Sequence, residues 1–162
     1  MVPFLRRLLA VGIALFFLMS FVLAAVAMVL KSRMRSWGDE ESDSVELVCI
    51  MDGLEFESQA KAFSGGSIFT MMGGSEIDLR RVRLAEHGAF LQVRTIMGGT
   101  EIVVPEGWRV LLDGMAFAGV NEKSLNDPGL GPDAPTLELD ARTYLGALEI
   151  SHAPMPITEQ VS

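Results

Sequence analysis

A glycine-centred motif occurs five times after residue 45 and constrains the fold more than any other feature of the sequence. Each copy places apolar residues around one or two glycines. Measured from the second glycine, successive copies are separated by 21, 25, 20 and 28 residues, a spacing typical of repeat architectures. The copies lie at residues 50–56, 71–77, 96–102, 116–122 and 144–150, and positions 53, 74, 99, 119 and 147 mark their register.

The repeat predicts an all-β domain over residues 46–151. No segment after Ser36 keeps the apolar spacing of a helix over three turns, whereas the copies are flanked by residues that favour strands. A chain that turns once per copy would lay each strand parallel to the previous one and bury successive apolar faces together. The expected fold is therefore a small parallel β-helix or solenoid-like domain. Antiparallel hairpins with glycine turns in a small sandwich are the alternative.

The glycines are expected to form the corners of this fold. A glycine permits a positive φ and lets neighbouring backbones approach where a Cβ would clash. Pro105 is expected to end a strand, and Trp108 to close the apolar interior rather than to stack on a ligand. Residues 121–135 are predicted to form a loop and residues 152–162 a disordered tail. The full motif is Gly53, Gly73, Gly74, Gly98, Gly99, Gly119, Gly146, Pro105 and Trp108.

The N-terminal region, residues 1–35, is predicted to be a membrane anchor. Residues 8–30 carry no charge, and as a helix they would extend about 34 Å, enough to cross the lipid hydrocarbon once. Basic residues flank the segment on both sides, and three follow it, which favours a cytoplasmic C-terminal domain. A cleaved signal peptide ending near Ala27 is the alternative. The predicted location is a cell membrane, with contact to lipid through this segment.

Charge divides the chain into two parts. All 21 acidic residues lie from Asp39 onward, with only eight of the 13 basic residues, so this part has a net charge of −13. Such a domain would be repelled by nucleic-acid phosphates and by anionic lipid head groups, which excludes nucleic acid as an expected partner. Residues 36–45 are polar and acidic and are predicted to be a flexible tether.

Few residues point to chemistry. Cys49 is the single cysteine, and His87 and His152 are far apart, so neither a disulfide within the chain nor a Cys/His zinc site is expected. The sequence contains none of the common hydrolase, metalloprotease or nucleotide-binding motifs. We therefore expect no enzyme activity, no cofactor and no bound metal.

Four glutamates occupy the same position of the repeat, with Asn121 in that position of the fourth copy. If the copies stack at the normal strand spacing of about 4.8 Å, these carboxylates form a row of like charges on an outer face. A solvated surface is the favoured interpretation, and a cation-binding strip is the alternative. The four residues are Glu55, Glu76, Glu101 and Glu149.

The repeat resembles the LiaF-like C-terminal domain of bacterial cell-wall-active-antibiotic response proteins. That family has a repeated pattern of two apolar residues, Gly-Gly, any residue, Glu and an apolar residue, and one copy continues into Val-Pro-x-x-Trp-x-Val. Here the pattern lies at residues 71–79, 96–110 and 134–150, and the resemblance covers about residues 48–151. The chain departs from it at Asp52 and Ala147, which replace glycines, and in having one predicted membrane span instead of several.

The resemblance implies a β-helix-like domain beside the membrane that restrains a two-component envelope-stress system through protein contacts. It implies no catalytic residues. We therefore expect a membrane-anchored regulatory protein whose partner is an envelope sensor or another membrane protein. The alternative is a structural scaffold, a homo-oligomer that associates through the open ends of the stack.

Overall fold

The computed structural model describes residues 2–124 and 129–154, with side chains from residue 6 onward. The chain divides into two compact regions, residues 1–34 and 35–162. Helix α1 (Val2–Arg33) forms the first region, and ten strands belong to the second. The strands are β1 (Ser44–Ile50), β2 (Gly53–Glu57), β3 (Gly65–Met71), β4 (Gly74–Asp78), β5 (Ala89–Ile96), β6 (Gly99–Pro105), β7 (Arg109–Phe117), β8 (Val120–Ser124), β9 (Thr136–Tyr144) and β10 (Ala147–Ala153).

Helix α1 confirms the prediction of an apolar N-terminal helix. Its segment Arg6–Arg33 is long and apolar enough, by length and composition, to cross a membrane. No charged residue lies between Arg7 and Lys31, so the side chains oppose neither helix formation nor transfer into lipid. The part of the chain that the structure describes contains one such helix.

The strands form two five-stranded sheets, and every strand pair in them is parallel. Sheet A has the order β1-β3-β5-β9-β7, and sheet B has the order β2-β4-β6-β10-β8. Each glycine corner therefore joins one strand of sheet A to one strand of sheet B. The prediction of a mostly β domain with parallel pairing is confirmed. The sheets stay separate, so closure into a β-helix is not confirmed.

The order of the strand pairs differs from the predicted one. We name the pairs units 1 to 5 in chain order, so that unit 4 is β7–β8 and unit 5 is β9–β10. Unit 5 lies between units 3 and 4, whereas strict stacking in chain order was expected. Burial explains the exchange, because β9 and β10 carry core residues whereas most of β7 and β8 is exposed. The unit whose strands bury the fewest residues thus lies at the end of both sheets.

The core lies between the two sheets and is built by alternate residues of the inner strands. Leu91, Ile102, Leu139 and Ile150 are almost completely buried there. Near the glycine corners the interior becomes polar, and buried hydroxyls bond to one another across and along the sheets. The distances are 2.6 Å from Thr70 to Ser75, 2.8 Å from Thr95 to Thr100 and 3.0 Å from Thr100 to Thr70.

The predicted flexible tether instead binds to unit 1. Trp37 forms an antiparallel bridge with Glu46 of β1, with N···O distances of 2.7 and 2.8 Å. Asp43 accepts hydrogen bonds from the amides of Ala62 and Ser64. The sequence did not predict these contacts, because an edge strand offers unpaired backbone groups that a polar segment can satisfy without an apolar period.

Two further boundaries differ from the sequence-based prediction. Strand β8 continues to Ser124 and β9 begins at Thr136, so the connection between units 4 and 5 is shorter than the predicted loop at residues 121–135. Strand β10 ends at Ala153, beyond the predicted end of the domain. Residues 155–162 of the predicted tail, and residues 125–128 of the predicted loop, lie outside the described residues.

Candidate functional site

Four of the five corners between the sheets bring one glycine against the backbone of a neighbouring unit. A Cβ on Gly73 would collide with Asp52 O, and one on Gly98 with Gly73 O. Gly146 meets Gly98 O in the same way, and Gly119 meets Gly146 O, each closer than the 3.0 Å that real Cβ atoms keep. Close approach is thus the physical requirement at these four predicted motif residues. Asp52 belongs to unit 1, which has no unit before it, so a side chain is tolerated there.

The second glycine of each pair is not needed for close approach of the backbones. A Cβ on Gly53, Gly74 or Gly99 would have no neighbour within 4 Å. The equivalent residues of units 5 and 4 are Ala147 and Val120, which shows that larger side chains fit. The departure from the family pattern at Ala147 therefore falls at a position that does not need glycine.

The positive φ expected at the glycines occurs instead at the residue before them. The φ angles there lie between 49° and 53°, in the left-handed region that non-glycine residues rarely adopt. The prediction that the glycine pair supplies this conformation is therefore wrong. The five residues are Met51, Met72, Met97, Ala118 and Leu145.

The outer face of sheet B carries a row of five glutamates. In sheet order the row is Glu55, Glu76, Glu101, Glu149 and Glu122, each directly beside the next. All five side chains are exposed. Beside this glutamate row runs a row of small residues made of Gly53, Gly74, Gly99 and Ala147, followed by Val120. A shallow groove follows both rows from unit 1 to unit 5.

The register of the fourth copy was wrong by one residue. Asn121 pairs with Leu148, and Glu122 pairs with Glu149, so Glu122 completes the row that was assigned to Asn121. Gly119 correspondingly takes the place of a first glycine, not of a second one. The fourth copy has a single glycine, and the sequence does not reveal which of the two positions it occupies.

Two arginines neutralise the acidic residues next to the glutamate row. Arg80 clamps Asp78 through three side-chain hydrogen bonds of 2.6 to 3.0 Å, and Arg81 contacts Glu57 at 3.0 Å. Burial alone would raise the pKa of Asp78, but hydrogen bonds and charge from Arg80 outweigh it and hold that pKa below its ordinary value. The five glutamates of the row have no basic residue among them.

The geometry of these carboxylates does not form a metal centre. Within residues 2–124 and 129–154, no group of three or more His, Cys, Asp or Glu side chains could hold a metal ion. Cys49 is buried, with its sulfur 3.1 Å from Asp52 O. His87 is exposed on a loop, whereas His152 is half-buried on β10. The arrangement offers a flat, anionic surface for contact with another molecule.

The remaining two predicted motif residues lie away from this face. Pro105 is the last residue of β6, and Trp108, which is only 6% exposed, packs in the core cluster. Sequence reasoning missed Glu122 and the corner residues with positive φ. The Glu122 signal was available, since shifting the fourth copy by one residue aligns all five glutamates.

Comparison with known proteins agrees with the sequence pattern. The family model described as "Cell wall-active antibiotics response LiaF, C-terminal" matches residues 50–126. This segment begins at the last residue of β1 and includes strands β2 to β8. Neither curated proteins nor solved structures gave a match.

Proposed function

We propose that this chain, whose residues 50–126 match the LiaF-like C-terminal family model, is a single-pass membrane protein that regulates a bacterial cell-envelope stress response through protein contacts. The family match is the observation that carries the proposal. The family is involved in the response to cell-wall stress and is membrane-associated. Its regulatory character supports a role without enzyme activity.

The anchoring part of the proposal rests on α1. A helix of this length with one uncharged core crosses lipid once, and Lys31, Arg33 and Arg35 favour a cytoplasmic position for the C-terminal domain. Reporter fusions at the C-terminus that are active on only one side of the membrane test the orientation. A mature protein lacking residues 1–27 by mass spectrometry would contradict the anchor and support a signal peptide.

We also propose that the domain is a short solenoid-like stack of five two-strand units. The parallel pairing of both sheets and the close glycine contacts between successive units support this interpretation. In this stack, each unit contacts only its neighbours, so one face extends unbroken along all five units. Such an extended face suits contact with a partner protein better than it suits a concave substrate site.

The proposed contact surface is the outer face of sheet B. Five exposed glutamates lie side by side there without a basic residue between them, and the groove along the row of small residues leaves them accessible. A partner with a row of basic side chains is complementary in charge to this face. An envelope sensor protein that carries such a basic row is the proposed partner.

Deletion of the gene, with a reporter of envelope stress, tests the function. We expect deletion to change reporter induction by cell-wall-active antibiotics, and the wild-type chain to restore it. A chain with Glu76→Gln, Glu101→Gln and Glu149→Gln should fail to restore it. A control with Glu46→Gln, Glu86→Gln and Glu138→Gln makes the same change of charge away from sheet B and should restore it.

Two results would contradict the proposal. An unchanged reporter in the deletion strain would exclude the regulatory role. Equal restoration by both triple variants would exclude the glutamate row as the contact surface. Co-purification from detergent distinguishes the scaffold alternative, because a structural scaffold captures no sensor protein.

A further inference from the structure

Unit 4 ends both sheets, and its two strands differ in how they protect their outer edges. Among the described residues, no strand lies beyond β7 or β8. Strand β8 is short and charged, and Lys123 reaches across to donate a hydrogen bond to Val110 O at 2.6 Å. Short strands and lysines are common devices that prevent edge pairing. Strand β7 has nine residues and, beyond Val110, lacks such protection.

The backbone of β7 directs alternate residues toward its open edge. Arg109 N donates to Pro135 O, and Phe117 O accepts from Leu145 N, so odd-numbered residues direct their backbone groups toward unit 5. The even-numbered residues therefore direct their N–H and C=O groups to the open side. The residues available for pairing are Leu112, Gly114 and Ala116. Val110 is left out because its carbonyl already accepts a hydrogen bond from Lys123.

The outer face of β7 is apolar where the neighbouring strand is charged. Leu111, Met115 and Phe117 are 49%, 69% and 67% exposed, and Asp113 is the one charged residue among positions 111–117. On β9 the residues beside Leu111, Asp113 and Met115 are Glu138, Asp140 and Arg142. An apolar, unpaired strand edge of this length favours pairing with another strand.

We propose that β7 pairs with β7 of a second copy of this chain, antiparallel and centred on Gly114. Three pairs would then exchange backbone hydrogen bonds, namely Leu112 with Ala116, Gly114 with Gly114, and Ala116 with Leu112, giving about six bonds. Leu111 of each copy would face Phe117 of the other on the outer surface. The pairing therefore satisfies every open backbone group from position 112 to position 116 and covers the exposed apolar side chains.

The residues of β7 themselves argue for a second copy and for this register. Pairing centred on Asp113 would place two like charges directly opposite each other and would require the carbonyl of Val110, which Lys123 holds. Pairing centred on Gly114 instead places Asp113 opposite Met115 and leaves Val110 outside the paired segment. The strand is thus self-complementary at its own centre, as a twofold interface requires.

The opposite end of the stack determines that the assembly stops at two copies. The edge of β1 is covered by Trp37, which bridges Glu46 through two backbone hydrogen bonds. A head-to-tail contact between unit 4 of one copy and unit 1 of the next would have to displace this segment. The result is a closed dimer and not a filament. This inference does not depend on the proposed regulatory role.

Cysteine cross-linking of the full chain in detergent tests the pairing. Positions 111 and 117 face each other in a non-hydrogen-bonded pair, where Cα atoms lie about 4.5 Å apart, within disulfide range. The variant with both Leu111→Cys and Phe117→Cys should form a disulfide-linked dimer on mild oxidation. Either substitution alone should leave the chain monomeric on a denaturing gel. The native Cys49 is buried and serves as an internal control.

A second measurement uses an edge variant and a matched control. Phe117→Lys should raise the dimer dissociation constant at least about tenfold in sedimentation of the detergent-solubilised chain. Phe90→Lys alters an exposed phenylalanine on the same face of sheet A, but on the inner strand β5, and should leave the dissociation constant unchanged. A wild-type chain that sediments as a monomer at all concentrations would overturn the proposal. A disulfide dimer of Asp113→Cys alone, or a ladder of higher oligomers, would also overturn it.

Discussion

At each of the five corners, a residue with a side chain adopts a conformation that usually needs glycine. At four of them, the glycine next to it fulfils a different requirement. The left-handed conformation costs a residue such as Met97 roughly 1–2 kcal/mol. The glycine after it permits two backbones to come within van der Waals contact. The steric requirement therefore lies at the first glycine of each pair, and the second is replaceable.

Adjacent glycines of unit 3 provide a direct test of this division. Gly98→Ala places a Cβ against Gly73 O, and we expect it to lower the free energy of unfolding by about 1–3 kcal/mol. Gly99→Ala places a Cβ in open space and should leave the free energy of unfolding unchanged or raise it by up to about 1 kcal/mol. Thermal or denaturant unfolding of the two variants measures the difference. Equal losses would contradict the assignment.

The Asp78 ion pair predicts a defined dependence of stability on acid. Because Arg80 lowers the pKa of Asp78 in the folded state, the carboxylate stabilises the fold above its unfolded pKa of about 3.9. This stabilisation is lost as the pH falls through the lower folded pKa.

Asp78→Asn should therefore destabilise the chain near pH 6, and the difference from wild type should shrink below about pH 4. Denaturant unfolding at several pH values measures this difference. Arg80→Met removes the cause of the lowered pKa and should reduce the same pH dependence. A difference from wild type that stays constant from pH 6 to pH 3 would contradict the role given to this pair.

Sheet B places like charges directly beside each other on neighbouring strands. Glu101 lies directly between Glu76 and Glu149, and like charges opposite each other in a sheet are destabilising. The glutamate row therefore reduces the stability of the sheet. That cost is consistent with a surface kept for contact with a partner.

Removal of one charge from the row should stabilise the domain. We expect Glu101→Gln to raise the free energy of unfolding by about 0.2–1 kcal/mol at low salt, with a smaller gain at 0.5 M salt because ions screen the repulsion. Glu138→Gln is the control, since Glu138 lies on β9 between Phe90 and Leu111. A destabilised Glu101→Gln variant would indicate that the row is already neutralised by a bound cation.

The segment before β1 behaves as an edge cover, and this role can be tested through one amide. Trp37→Pro removes the N–H that donates to Glu46 O and should cost about 0.5–1.5 kcal/mol. Hydrogen exchange at Glu46 and Val48 should become faster, because both amides bond to this segment. Trp37→Ala keeps the N–H and should keep the protection. Fast exchange of these two amides in the wild-type chain would instead support the prediction of a flexible tether.

At the scale of the whole molecule, the sequence predicted the strand content and the parallel pairing but not the order of the units. Glycine spacing indicates that copies are equivalent, and equivalent copies of a strand and corner stack in parallel. The spacing carries no information about which copy neighbours which. Unit 5 lies between units 3 and 4 because its strands carry the buried Leu139 and Ile150. Unit 4 instead has Asn121 and Lys123 at the positions beside the buried residues of β10.

The candidate surface was predictable to a similar extent. The aligned glutamates were visible as a row from the repeat alone, apart from Glu122, which a one-residue ambiguity in the fourth copy concealed. The cover of β1 by Trp37 could not be predicted, because a few backbone hydrogen bonds to an edge strand leave no periodic signal in the side chains.

The unusual order of the units is the claim on which the whole account depends, and paired cysteines on the glutamate row test it most directly. The account predicts that Glu101→Cys with Glu149→Cys forms a disulfide within the chain on mild oxidation, because the two residues are direct neighbours. Glu101→Cys with Glu122→Cys should form none, because unit 5 separates these residues. A disulfide between positions 101 and 122, with none between 101 and 149, would show that the units stack in chain order and would contradict the account.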